Sequence, residues 1–421
     1  MIYLSIFVVV LLPMIVAVVS PAGMIYLLAF IGPLPISGNV SKEIGFLFGK
    51  IDLVSLRVLG SMIGSGIIIA SYFGRSTKIL NICLIHILFL FIIAISLIWT
   101  TSIMFGLRTL LKLIAPLVLL VAVGVAINDK KKINRLLVIT LLSCLLSALI
   151  AVITTILGMT NDIKLTMPGM SAAVFSSNML IGLIVALNKE SNNKVLKYVY
   201  IGIFVTAILF ANTRITIGAM FVIFSIYGFF RMKGILKYII PISSMLCFLM
   251  LFLLVEKFRS RMFLGSHVVS FESVKDINNA MGRVAGSGRF AAWSEVLDKF
   301  FKPHMAFGSG IGTTQNFYYS SNLGIGVIHS EYVRLLAETG LVGLLLFMLS
   351  MFYYFLSMKR NMMRFSGMKN IYIMGICSLF SYMTFMATDN AFDYINQFGF
   401  YVFGIIGIAI ARPVISSDTK T

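Results

Sequence analysis

Residues 328–357 read IHSEYVRLLAETGLVGLLLFMLSMFYYFLS. The first thirteen carry a histidine, two glutamates and an arginine, and the next seventeen carry no charge. An uncharged run of this kind is the signature of a membrane span, because about 20 helical residues cross the hydrocarbon core of a bilayer. The four ionisable groups are therefore expected just outside the membrane. Ser330 suits a helix N-cap, and Glu331 falls in the first turn, where negative charge is favoured. Glu331 meets Arg334 at i+3, and Arg334 meets Glu338 at i+4, so all three share one helix face. Gly340 suits the end of this short helix before the span begins.

The rest of the chain repeats the apolar half of this pattern. Its 421 residues are 59% hydrophobic and 12% charged, too little polar surface to clothe a soluble core. The expected fold class is all-α: a polytopic transmembrane helical bundle of about 12–13 spans with one large extracytoplasmic loop. Spans are predicted near 3–19, 22–36, 53–73, 79–99, 105–127, 136–157, 173–187, 198–212, 215–230, 238–256, 341–358, 371–388 and 397–411. The first run has no basic leader segment and another apolar run follows at once, so it reads as a retained span. Three regions follow: an N-terminal bundle over 1–256, a loop with short helices over 257–340, and C-terminal spans with a tail over 341–421.

The formal charge of +19 would suggest nucleic acid in a soluble protein, but here topology accounts for it. Basic clusters at Arg75/Lys78, 129–135, Lys189/Lys194/Lys197, 231–237 and 359–369 all fall on one side of the predicted spans, which is expected to be cytoplasmic. The stretches 158–172, 213–214, 257–340 and 389–396 then lie outside. Cys83, Cys144, Cys247 and Cys377 sit within apolar runs without CxxC spacing, so neither disulfides nor a metal are implied. Motifs for nucleotide hydrolysis, zinc proteolysis, serine hydrolysis and dinucleotide binding are missing from the sequence.

The loop 257–340 holds three of the four histidines and nine basic residues. Arginines outside the membrane suggest an anionic partner, either lipid headgroups or a phosphate-bearing substrate. Arg283 and Arg289 offer forked donors suited to phosphate. Arg214, at a span end in NTR (212–214), either snorkels to headgroups or anchors a phosphate. Arg108 and Lys112 lie four apart on one helix face and have the same two options. Arg57 is expected at the interface, and His86 as a packing residue. The segment RFAAWSEVLDKFF (289–301) reads as an amphipathic helix whose apolar face lies in the interface or docks on the spans. Trp293 on that face packs there or stacks on a sugar. GSGIG (308–312) reads as a turn. His329, ahead of the charged helix, either relays a proton or merely hydrogen-bonds a loop.

In the order and sidedness of these features the chain resembles the bacterial O-antigen ligase and polymerase family. The match is carried by NTR (212–214), GSGRFAAW (286–293), GSGIG (308–312), HSEYVRLLAETGLVG (329–343) and GMSAAVFSSNMLIGLIVAL (169–187). Ser330 stands where the family often has asparagine. The resemblance implies an integral membrane glycosyltransferase of the bacterial inner membrane, with its active face outside. The donor would be a glycan on undecaprenyl diphosphate and the acceptor a second glycan or the lipid A core. Transfer would proceed with inversion, without metal or other cofactor. By the same resemblance, Arg214 and Arg289 grip the diphosphate, with Arg283 and Arg108 behind them. His329 activates or orients the acceptor hydroxyl, while Glu331, Arg334, Glu338 and Trp293 support the site. Expected partners are membrane lipids and a chain-length regulator; nucleic acid is not among them. Polymerisation of repeat units is the leading expectation, ligation to lipid A core the second, and transport of a lipid-linked glycan the alternative from another class.

Overall fold

The computed structural model describes residues 11–34, 53–159, 164–190, 193–254, 289–320 and 328–418. The elements in these stretches are helical throughout. Helices α1 (Leu12–Val19) and α2 (Pro21–Ile31) are separated at Ser20, whose backbone is extended and whose hydroxyl caps α2 by accepting from Gly23 N–H. Next come α3 (Leu53–Ser71), α4 (Phe73–Ile82), α5 (Leu84–Ile95), α6 (Ile103–Ala126), α7 (Lys130–Ile156), α8 (Ala172–Asn188), α9 (Lys194–Ala211), α10 (Arg214–Arg231) and α11 (Leu236–Leu254). The loop region contributes α12 (Arg289–Val296) and α13 (Thr313–Ser320). The chain then finishes with α14 (Glu331–Arg364), α15 (Lys369–Thr388) and α16 (Phe400–Asp418).

Polar residues punctuate the apolar runs where the pattern breaks. Asp129 caps α7 by accepting from Lys132 N–H at 2.7 Å, and Asn193 caps α9 by accepting from Leu196 N–H at 3.0 Å. Asn212 takes a left-handed conformation, φ 51°, and turns the chain from α9 into α10 within two residues. α6 and α16 pack along each other in the centre, and α8 is buried along almost its whole length. α7, α9 and α11 instead turn large apolar side chains outward, such as Ile156, Phe210 and Met245. A belt of that kind needs a lipid cover.

Among the described residues six helices are long and apolar enough to cross a membrane, or seven if one bent pair counts as a span. Five further apolar helices are shorter. The protein is therefore an all-α, polytopic helical membrane protein, but the expected 12–13 spans are not matched one for one. The expectation counted apolar runs, and the chain breaks several of them. α3 and α4 meet at a bend of 112° at Tyr72, where the expectation already separates the spans 53–73 and 79–99, but α4 begins at Phe73 and takes in the predicted loop residues Arg75 and Lys78. The span predicted over 79–99 is broken at Cys83 and ends in a 3-10 turn, Ser96–Ile98.

The bundle has two distinct ends. Residues 128–130, 188–190 and 367–371 meet at one, where Arg231 also donates to Asn370 at 2.7 Å. Helix direction carries the starts of α6, α10 and α14, and the end of α15, to the other. The predicted basic clusters thus share an end. Arg57 departs from expectation: it is 2% exposed, and its Nε has no hydrogen-bond partner. α3 is packed between α1 and α6, which encloses the residue that the sequence placed at an interface.

Two glycines set the geometry at the polar end. Gly340 has φ 66°, ψ −167° and breaks the helical path of α14. The N–H groups released at Leu341 and Val342 donate to Met305 O at 2.9 Å and Ala306 O at 3.1 Å. A Cβ at Gly340 would stand 2.3 Å from Ala306 O. Gly312 has φ 85°, and a Cβ there would lie 2.3 Å from Gly106 N. The GSGIG turn is thereby wedged between two elements: Ser309 and Gly310 N–H donate to Ala337 O and Glu338 O, and Thr100 Oγ1 donates to Ile311 O at 2.6 Å. Gly312→Ala is expected to destabilise the protein by at least about 2 kcal/mol, combining a left-handed backbone penalty with overpacking. A lowered midpoint of thermal unfolding in detergent, with Gly66→Ala nearly silent because nothing lies within 4 Å of its Cβ position, checks this.

Candidate functional site

The helix predicted over 331–339 is present, and its charges face inward. Arg334 is 6% exposed, and Glu331 and Glu338 are fully buried. The guanidinium lies 3.6 Å from Glu331 and 3.4 Å from Glu338, and Nη2 donates to Thr109 Oγ1 at 2.7 Å. Each glutamate uses its other oxygen on a different segment. Glu331 Oε1 accepts from Phe392 N–H at 2.9 Å. Glu338 Oε1 accepts from Thr314 N–H at 3.2 Å and from the Thr314 hydroxyl. One short helix therefore fastens α6, the start of α13 and the 389–394 segment. The facing atoms Glu331 Oε2, Arg334 Nε and Glu338 Oε2 make no hydrogen bond, so the three groups are held to one another by charge and to the other segments by hydrogen bonds.

A second pair lies alongside, joining a buried lysine to a half-buried aspartate. Lys112 Nζ stands 2.6 Å from Asp393 Oδ1. Burial alone would raise the Asp393 pKa, but Lys112, then Arg334 and more weakly Arg108, hold the carboxyl below its ordinary range. Lys112 is thus committed to a carboxylate, which is neither of the two roles, phosphate contact or snorkelling, that the sequence offered. The i, i+4 pairing of Arg108 and Lys112 positions both near Asp393.

His329 sits immediately before this helix, with φ 55°. A left-handed backbone is uncommon for a residue other than glycine and must be held by its surroundings. Its N–H donates to Asn390 Oδ1 at 3.1 Å, while ring Nδ1 lies 3.4 Å from Asn390 Nδ2 and 3.7 Å from Asp389 Oδ1. Asp389 Oδ1 is itself fixed, accepting from Asn390 N–H at 2.8 Å and Tyr394 O–H at 2.9 Å. The imidazole side chain is 32% exposed against 9% for Asp389. With Nδ1 turned to Asp389 and Asn390, Nε2 is the nitrogen left to meet a hydroxyl. Thr314, Gln315, Tyr318, Ile328, Arg334 and Asn390 line a narrow cleft beside it.

Ser330 caps α14 as expected, accepting from Val333 N–H at 3.4 Å. Trp293 packs: its Nε1 donates to Ile328 O at 2.7 Å, within a small core that includes Val296, Tyr318 and Ala337. The amphipathic segment accordingly docks on α13 and α14, although only its first part is α-helix and a π turn follows over Leu297–Phe301. Arg214 opens α10, half-buried, beside a hydroxyl cluster in which Ser176 contacts Thr213 at 2.8 Å and Thr216 at 2.7 Å. Arg108 is half-buried with its guanidinium 5.9 Å from the centre of the Phe105 ring. Arg283 and the Arg289 side chain lie outside the described residues, as does most of the expected 257–340 loop before α12. His86 is a buried packing residue, its Nδ1 3.0 Å from Tyr354 Oη.

Sequence reasoning missed Asp389, Asn390 and Asp393. A signal was present: TDNAFDYINQ (388–397) is a short acidic, amide-rich connection between two apolar runs, on the same side as His329. Thr109 and Thr314 carried no such signal, since a threonine in a helix is unremarkable until its partner is known.

Residues 199–348 match the Wzy_C family model, described as O-antigen ligase. A domain of that kind is therefore present over part of the chain. It spans Arg214, Arg289, His329 and the ion cluster of α14, whereas Arg108 and the 389–394 segment lie beyond it. No curated protein matches the chain.

Lys112→Met leaves the half-buried Asp393 with less compensation and is expected to cost about 1–3 kcal/mol. Adding Asp393→Asn should restore part of that loss, read as a favourable coupling in a double-mutant cycle of unfolding midpoints. The lowered Asp393 pKa adds a sign: the stability it contributes is present above the ordinary aspartate value and is lost as pH falls through the lowered one.

Proposed function

We propose that the protein is a glycosyltransferase that joins glycans carried on polyprenyl diphosphate at the outer face of a bacterial cytoplasmic membrane. The observation that carries this is His329, fixed in a left-handed backbone by Asn390 and flanked by the buried Asp389 carboxylate, inside the region that matches the O-antigen ligase model. Clustering of basic residues at the opposite end of the bundle supports an outward-facing site.

In this reading the acceptor hydroxyl approaches Nε2 of His329, which takes its proton as the oxygen attacks the anomeric carbon. The bond from that carbon to the diphosphate breaks on the opposite face, and polyprenyl diphosphate leaves with the electron pair. Asp389 steadies the imidazolium formed, through Nδ1. Arg214 and Arg289, backed by Arg283 and Arg108, stabilise the charge growing on the leaving group. Glu331, Arg334 and Glu338 hold the platform on which His329 stands. No nucleotide is consumed, because the lipid-linked donor is already activated.

Polymerisation of repeat units into a surface polysaccharide is the reading we adopt. The description of the matching family favours a second one, ligation of the finished glycan to lipid A core. Reconstitution with lipid-linked repeat units separates them: longer lipid-linked products mean polymerase, and label transferred to added lipid A core means ligase. In the same assay His329→Ala, Arg214→Ala and Arg289→Ala are expected to abolish transfer without loss of membrane protein. Asp389→Asn should lower turnover about 10–100-fold while leaving donor binding intact. Full activity of His329→Ala removes the proposal.

A further inference from the structure

At the basic end of the bundle, remote from His329, a cleft with about 910 Å³ of open space lies between the starts of α7 and α15 and the end of α8. Asn188 lines it and is 5% exposed. Its Nδ2 donates to Ile184 O at 2.9 Å, but its Oδ1 has no hydrogen-bond partner. A buried amide oxygen left this way costs about 1–3 kcal/mol, so it calls for a donor from outside. The N-terminus of α15 borders the same cleft, and no side chain caps it. Such a terminus favours an anion. Lys130 and Lys189 stand at the rim. The two carboxylates there are already engaged: Asp129 caps α7 and pairs with Lys132 at 3.4 Å, and Glu190 accepts from Asn370 at 3.3 Å and faces Lys130 at 3.9 Å. The inner wall is apolar, formed by Ile133, Leu137 and Ile371.

We propose that this cleft holds the headgroup of an anionic glycerophospholipid from the adjoining leaflet. The phosphate sits at the α15 N-terminus beside Lys189, a headgroup hydroxyl donates to Asn188 Oδ1, and the glycerol ester region lies on the apolar wall. Hydroxyl and phosphate together are what the site selects. A soluble polyol phosphate offers the same two groups, but it would leave the apolar wall uncovered. The lipid acts as a structural ligand tying α7, α8 and α15 at the end opposite the proposed chemistry.

The test is native mass spectrometry of the full-length protein, released from detergent with phosphatidylglycerol, phosphatidylcholine or glycerol 1-phosphate added. Phosphatidylglycerol should be retained in preference to phosphatidylcholine. Asn188→Leu and the surface change Lys189→Gln should each reduce its retention, the former by about tenfold as expected for a lost buried hydrogen bond. Equal retention of the two lipids, or phosphatidylglycerol retention unchanged in both variants, overturns the proposal. Glycerol 1-phosphate captured as strongly as phosphatidylglycerol overturns the lipid assignment. A monodisperse size-exclusion profile for Lys189→Gln guards against reading unfolding as lost binding.

Discussion

The contact on which the polar end depends is the guanidinium of Arg334 held between Glu331 and Glu338. In a bundle with so few charges, an arginine and two carboxyl groups buried on one short helix carry a concentrated cost of desolvation. They remain there because each has a second partner on another segment: Thr109 on α6, Thr314 at the start of α13, and the Phe392 N–H in the last connection. Removing Arg334 would leave two carboxyl groups buried without their cation. The arrangement therefore fixes the relative positions of four stretches far apart in sequence.

His329 inherits its geometry from that arrangement. Its backbone is left-handed, and the residues that hold it, Asp389 and Asn390, come from the same connection that Glu331 and Lys112 anchor. A catalytic group needs its rotamer and backbone fixed by neighbours that are themselves fixed. Here the order runs from the Arg334 cluster to the 389–394 connection and then to the imidazole. In the proposed reaction, chemistry at His329 is coupled to the stability of the fold through this one cluster.

Much of this was legible in the amino-acid sequence. Apolar runs gave the membrane class, and the spacing of Ser330, Glu331, Arg334, Glu338 and Gly340 gave the cap, both ion pairs and the break. Those features are local, within four residues or so, and helical geometry translates them directly. The break at Cys83 was not legible, because an uninterrupted apolar run looks the same whether it is straight or broken, whereas the bend at Tyr72 falls where the polar stretch 74–78 already divides two runs. Arg57 was misplaced for a related reason: a residue near the start of a run looks interfacial until another helix covers it. Asp389 and Asn390 were missed because their relevance arises from a pairing across 60 residues, which no periodicity encodes.

Gly340 and Gly312 lead somewhere else. Each is pressed against backbone atoms of a neighbouring segment, so neither position has room for any side chain, whatever its chemistry. These two sites have no alternative in the genetic code. The most durable mark of this architecture is thus written by steric exclusion, at places where nothing reacts.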